Sequence, residues 1–253
     1  MIRVLLLLFV LALAGCGGED DESAAERPQI TVSAAASLKT AFTNYGEQFT
    51  VADARFSFAG SDELAAQIEQ GVKPDVYAAA NTKLPDALYE KGLVEQPTVF
   101  AGNRLVLAVP ADGDEVASLE DLHQDGVKLA IGAEDVPVGT YTRTVLDKLP
   151  AAQRKAILAN VRTEEPDVAG ITGKLTQRAV DAGFLYISDV RATDGALEGI
   201  ELPDDLQPDV AYGVAVVKGA KQPAAARAFI AGLLDGAGAQ ALEDAGFEPP
   251  PAQ

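Results

Sequence analysis

Two periods of hydrophobic positions alternate along this chain. Short runs dominated by apolar and small residues, at 30–34, 55–59 and 75–79, read as strands. Between them apolar side chains return every three or four positions. In the first such stretch Leu38, Phe42, Tyr45 and Phe49 fall on one helical face. The second opens at Ser61, carries Asp62 and Glu63 in its first turn, continues through Leu64 and Ile68 and stops at Gly71. A third helix is expected at 84–89, ending near Gly92. This β, α, β, α, β, α order predicts a mostly parallel sheet wrapped by helices.

Two longer apolar strands follow, at 103–110 and 212–218. They bracket a second alternating block with strands at 129–132 and 184–188 and helices at 141–149 and 173–182. Helices at 224–234 and one ending near Gly246 then return to the first block. The economical architecture is α/β: two lobes, each a mostly parallel sheet flanked by helices, joined by two crossing strands that act as a hinge. Lobe one is expected at 29–104 plus 213–253, and lobe two at 105–212.

The start of the chain has a different pattern. Arg3 precedes an apolar run of eleven residues, 4–14, and then come Gly15, Cys16, Gly17, Gly18 and an acidic stretch. A membrane-spanning helix needs about 18 apolar residues or more, so this run reads as an export signal. Cys16 after Leu13, Ala14 and Gly15 resembles the bacterial lipobox. That resemblance implies removal of 1–15, lipid on the Cys16 thiol and an extracytoplasmic protein anchored to the cell membrane through that lipid alone. Residues 16–28 are polar and acidic without periodicity, a flexible tether. An incidental cysteine in an ordinary secreted protein is the alternative.

About 225 residues remain for folding, enough for two lobes with real cores. The whole chain has 38 acidic and 20 basic side chains, a formal charge of −18. Nucleic acid and anionic membrane surfaces are therefore excluded as partners. An anionic ligand gains nothing from the long-range field and needs local donors. Cys16 is the only cysteine, so no disulfide framework or cysteine metal site exists in the folded part. His123, the only histidine, sits in a polar stretch with no serine motif to serve. With no GxGxxG and no P-loop either, the chain is not expected to be an enzyme.

Anions bind where strands end and helices begin, because free N–H groups and the helix dipole point there. Two such junctions carry serine: Ala34, Ala35, Ala36, Ser37, and Phe58, Ala59, Gly60, Ser61. The small residues let backbone approach a ligand, and Ser61 is placed as an N-cap. In the second block, the turn at 134–141 leaves the N–H near Val138 free to donate, and the turn at 165–168 leads into another helix. Tyr186 lies just before the polar end of a buried strand. Each feature alone also fits a structural role, a plain cap for the serines and a core aromatic for Tyr186.

As a set, these stretches resemble the periplasmic molybdate-binding proteins of bacterial ABC importers. The residues that carry the likeness are 34–38, 57–61 with Leu64, Ala65, Gln67 and Ile68, Pro74 and Asp75, Gly102 and Asn103, Val136 and Pro137 with Gly139 and Tyr141, Asp167 and Val168, and Tyr186 with Ser188 and Asp189. The resemblance implies a type II periplasmic-binding-protein fold that closes on molybdate or tungstate and delivers it to a permease, as a monomer without cofactor or cation site. It further implies that Ser37 and Ser61 donate hydroxyl and backbone N–H groups, Val138 and Val168 backbone N–H groups, and Tyr186 its phenol. Such a donor set suits an oxyanion that carries no proton at pH 7. Receptors for another tetrahedral oxyanion such as sulfate, or a surface lipoprotein without a transport role, are the alternatives. Asp62 and Glu63 depart from the family pattern, and both are expected to face solvent beside the α-helix dipole.

Overall fold

The computed structural model describes residues 27–251; the leader, Cys16 and nearly all of the tether lie outside them. In chain order the strands are β1 Gln29–Ala35, β2 Asp53–Ala59, β3 Val76–Ala79, β4 Thr98–Asn103, β5 Leu105–Pro110, β6 Leu129–Gly132, β7 Val161–Glu165, β8 Ala182–Tyr186, β9 Leu197–Glu201 and β10 Val210–Val216. The helices are α1 Lys39–Gln48, α2 Ser61–Glu69, α3 Lys83–Glu90, α4 Pro137–Asp147, α5 Ala151–Ala159, α6 Val168–Thr176, α7 Ile187–Arg191, α8 Pro223–Leu234 and α9 Ala237–Asp244. Two 3-10 turns, Ala36–Leu38 and Leu119–His123, complete the set.

The strands form two five-stranded sheets, ordered β2-β1-β3-β10-β4 and β7-β6-β8-β5-β9. In the first, β1 runs parallel to β2 and β3, whereas β10 is antiparallel to both β3 and β4. Four strands thus point one way and β10 opposes them. The second sheet repeats this arrangement, with β5 as the opposed strand between β8 and β9. In each sheet the opposed strand is the one that arrives from the other sheet. The chain crosses at Arg104, between β4 and β5, and again between β9 and β10. The two connections are tied side by side: Val210 pairs with Asn103, Gln207 Nε2 donates to the Leu105 carbonyl at 3.0 Å, and Arg104 pairs with Glu201 at 3.1 Å.

Several elements differ from the sequence reading. The run 103–110 is two strands meeting at Arg104, and β10 begins at Val210, ahead of 212. Helix α6 begins at Val168, five residues before the expected start, because Asp167 caps it by accepting from the Gly170 N–H at 2.9 Å. Strands β4, β7 and β9 and helices α5 and α7 were not anticipated, and the run read as a strand at 184–188 stops at Tyr186, where α7 begins. All three strands are sheet edges, and β7 and β9 expose alternate or flanking residues to solvent without a continuous apolar run.

Lobe one is centred on an aromatic cluster. The predicted face of Phe42, Tyr45 and Phe49 packs on Phe229 of α8 with ring centroids 4.7–5.5 Å apart, edge-on for Phe42 and Phe49. The Tyr45 hydroxyl donates to the Phe229 carbonyl at 3.1 Å, and burial pushes its pKa up to about 12. Behind the sheet, buried Asp75 accepts from Thr31 N–H at 2.8 Å and from Gln222 N–H at 2.8 Å, which joins β1 to the start of α8. Replacing Phe229 by alanine removes the ring on which the three helical aromatics converge. Phe229→Ala is expected to cost about 3–5 kcal/mol, measured as a fall in urea midpoint with an unchanged m-value.

Candidate functional site

Ser37, Ser61, Val138, Val168 and Tyr186 all sit at the C-terminal ends of strands, where a doubly wound sheet leaves a crevice. Ser37 lies in the 3-10 turn that leaves β1, and Ser61 is the first residue of α2 after β2. Val138 and Val168 stand in the first turns of α4 and α6, after β6 and β7, and Tyr186 is the last residue of β8. The structure brings all five to one cavity between the lobes, walled also by Ala35, Gly60, Ala80, Pro137, Pro166 and Asp167. The cavity is small, with about 20 Å³ open to the centre of an oxygen-sized atom.

The chemistry of the wall is donation. Val138 and Val168 lie in first helical turns, where a backbone N–H has no carbonyl one turn back to meet. The dipoles of α2, α4 and α6 add partial positive charge at the same place. Tyr186 is 1% exposed, and its hydroxyl has no hydrogen-bond partner among the described residues. Burial raises its pKa well above 10, so the phenol keeps its proton and is a donor facing the cavity. Leaving such a group unsatisfied costs about 1–3 kcal/mol, so a bound acceptor recovers that cost.

Ser61 departs from its expected role as a cap. Gly60 occupies the N-cap position, and no side chain caps α2. Ser61 Oγ instead accepts from the Ala80 N–H at 3.1 Å, across the end of β3, while the Ser61 carbonyl accepts from the Tyr77 hydroxyl at 2.7 Å. With a lone pair held by Ala80, its proton is left for the cavity. Ser37 Oγ is 2.9 Å from the Tyr212 hydroxyl of β10. Ala80 and Tyr212 were both missed in the sequence. A tyrosine at the head of an apolar run was the available signal for Tyr212, whereas Tyr186 was marked by its place at the polar end of one.

Four carboxylates lie near. Asp167 is part of the cavity wall, and its Oδ1 is turned to the first turn of α6. Glu63 is exposed as expected, accepting from Gln67 at 3.1 Å. Asp62 corrects the expectation: it is half-buried, and its Oδ1 is shut from solvent without a partner among the described residues. It is turned in because α2 starts at the seam between lobes. A Cβ at Gly60 would stand 3.0 Å from Asp62 Oδ1 and 2.7 Å from the Pro166 carbonyl of the other lobe. Behind Tyr186, buried Asp189 accepts from the Tyr186 N–H at 3.1 Å. Desolvation pushes the Asp189 pKa up to about 7, opposed by that hydrogen bond and reinforced by Asp167.

His123 is exposed, and the described residues contain no group of histidine, cysteine and carboxylate side chains arranged for a metal ion. Among those residues no helix is long and apolar enough to cross a membrane.

Comparison with known proteins bears on this geometry. Over 254 aligned residues the chain is 34% identical to the molybdate-binding protein ModA of Mycobacterium tuberculosis, covering 96% of this chain and 95% of the relative. The periplasmic molybdate-binding protein of Azotobacter vinelandii superposes with a TM-score of 0.79 at 19% identity, over 87% of this chain and 99% of that one. The sulfate-binding protein SubI of M. tuberculosis gives a TM-score of 0.78 at 15% identity, over 88% and 87%. These two likenesses show the fold, and one fold houses receptors for two different oxyanions. The family model for bacterial extracellular solute-binding proteins matches residues 30–248, and this chain belongs to that family.

Proposed function

We propose that this protein is the solute-binding component of an ABC importer and that it captures molybdate or tungstate outside the cytoplasm. The observation that carries this reading is the Tyr186 hydroxyl, buried without a partner among the described residues where helix starts from both lobes converge. Ser37 and Ser61 donate from lobe one, 29–104 plus 213–253, and Val138, Val168 and Tyr186 donate from lobe two, 105–212. The cavity wall has no lysine or arginine, so the anion is held by neutral donors and helix dipoles. Hydrogen bonds to a charged group contribute about 1.5–3 kcal/mol each, and the sum over these donors supports micromolar or tighter binding after the cost of ordering. The 34% identity to a molybdate-binding protein supports this anion over sulfate.

Contacts from both lobes favour the closed state by their difference in affinity between states, which makes lobe closure the transport signal. A permease then recognises the closed pair of surfaces. Lipid on Cys16 anchors the monomer to the membrane, with 16–28 as the tether. The role is delivery of an unchanged anion, not catalysis.

Isothermal titration calorimetry with molybdate, tungstate, sulfate and phosphate tests this reading. One-to-one heat with the first two supports it, whereas heat with sulfate alone moves the function to another oxyanion. Tyr186→Phe is expected to weaken molybdate binding about 10- to 100-fold, the loss of one donor to a charged group, with the thermal midpoint kept or raised. Gly60→Ala should hold the lobes apart against Pro166. Its expected signature is a loss of the ligand-induced fall in radius of gyration in solution scattering, with both lobes still folded.

A pH dependence follows from Asp189. Its pKa in the fold is about 7, above the ordinary carboxylate value. It is therefore neutral below pH 7 and charged above, and a nearby dianion favours the neutral form. Molybdate should bind more tightly at pH 6 than at pH 8, and Asp189→Asn should flatten that difference. The same sign holds for stability: the folded state binds the proton more tightly than the unfolded state, so stability from this group falls as pH rises from about 4 to about 7.

A further inference from the structure

We propose that Tyr212 is a positioning residue that sets the specificity of the site, by donating its hydroxyl proton to Ser37 Oγ and so leaving the Ser37 proton to the bound anion. The inference rests on the reading of the cavity as an oxyanion site and concerns which protonation state of an oxyanion it accepts.

The direction of the Ser37–Tyr212 hydrogen bond decides what Ser37 offers to a ligand. A hydroxyl has one proton. If Ser37 spent it on Tyr212, only lone pairs would face the cavity. The surroundings of Tyr212 choose the other direction. Asn103 sits at the crossing between β4 and β5, and its Oδ1 accepts from the Arg104 N–H at 2.9 Å. That contact orients the amide, so its NH₂ faces the other way and donates to Ser188 Oγ at 2.8 Å. With its Oδ1 held by Arg104 and its NH₂ by Ser188, Asn103 offers the Tyr212 proton no acceptor, and Ser37 Oγ at 2.9 Å is the hydrogen-bond partner of the Tyr212 hydroxyl among the described residues. A Tyr212 that accepted from Ser37 would bury its own proton without an acceptor, so Tyr212 donates and Ser37 Oγ receives. Tyr212 is fully buried and its pKa lies well above 10, so that proton is present at every physiological pH.

Ser61 is treated in the same way by a different group, the Ala80 N–H. A backbone N–H has no alternative direction, so Ser61 is a donor by construction. Ser37 has the more adjustable arrangement, and its behaviour depends on Tyr212. Tyr212 lies on β10, the strand that arrives from the other sheet, so the donor state of Ser37 is tied to the crossing between lobes.

Molybdate and hydrogenphosphate are both dianions at pH 7.5, and they differ in the proton that one of them carries. Asp167 Oδ1 is held by the Gly170 N–H, and Ser37, Ser61 and Tyr186 donate, so beside Ser37 that proton meets no acceptor, which is costly in a buried site. Removing the Tyr212 hydroxyl frees Ser37 to rotate and accept from the proton-bearing oxygen. The ratio of the two affinities therefore reads the direction of the Ser37 hydroxyl, whereas general damage to the lobe lowers both affinities together.

The test is calorimetry of both anions on the wild type, Tyr212→Phe, Ser37→Ala and the double variant, with folding checked by thermal melting. Tyr212→Phe is expected to lower the molybdate-to-hydrogenphosphate ratio about 10-fold or more and to have no effect on the ratio in the Ser37→Ala background. An unchanged ratio in a folded Tyr212→Phe protein, or an equal fall with and without Ser37, overturns the positioning role while the site assignment stands. A wild type that binds no molybdate overturns the functional reading itself, and this inference with it.

Discussion

A doubly charged anion shut away from water must find a donor for each of its outward lone pairs, and most of what is distinctive in this structure follows from that constraint. The chain has a formal charge of −18, so attraction cannot come from its overall field. In the proposed site it comes from short range: first-turn N–H groups, two serine hydroxyls and a phenol, all at strand ends. Partial charges at helix starts work well here because they are fixed in place and bring no counterion to desolvate. An arginine would add attraction and a long, flexible side chain. The neutral wall trades that attraction for a rigid shape.

The two-sheet topology places these donors. Because four strands of each sheet point the same way, their C-terminal ends lie along one rim, and the two rims face each other across the cavity. The opposed strands, β5 and β10, are the ones that carry the chain between lobes. β10 brings Tyr212 behind Ser37, and the turn from β4 into β5 places Asn103 against Ser188. The hinge region and the ligand wall therefore share hydrogen bonds. Small residues are required where the lobes approach, as Gly60 is against Pro166. Gly139 meets a constraint inside lobe two, since a Cβ there would lie 2.5 Å from the Gly132 carbonyl and push α4 off the end of β6. A larger side chain at Gly60 would hold the two rims apart.

Much of this was legible in the sequence where burial imposes a pattern. The face of Leu38, Phe42, Tyr45 and Phe49 is buried throughout, and the central strands β1, β3, β6 and β8 show as apolar runs because both of their faces are covered. Edge strands have no such signal. β7 reads Val161, Arg162, Thr163, Glu164, Glu165 and is held by its parallel pairing with β6, not by hydrophobic burial. Helix α5 buries only Ile157, which leaves little periodicity to see. The five candidate residues converge because each was chosen for its place at a strand-to-helix junction, a local property. The groups behind them are nonlocal: Ala80 lies 19 residues from Ser61 and Tyr212 lies 175 from Ser37. Asp62 failed for a related reason. Its first-turn position predicts a solvated dipole partner, whereas in the fold its Oδ1 is shut from solvent.

The most direct test of the central claim is anomalous diffraction at the molybdenum edge from crystals grown with molybdate. The account predicts one strong peak in the cavity between the lobes, with its oxygens within hydrogen-bonding distance of Ser37, Ser61, Val138, Val168 and Tyr186. A peak elsewhere on the molecule, or a molybdate that leaves the Tyr186 hydroxyl without a partner, would contradict it.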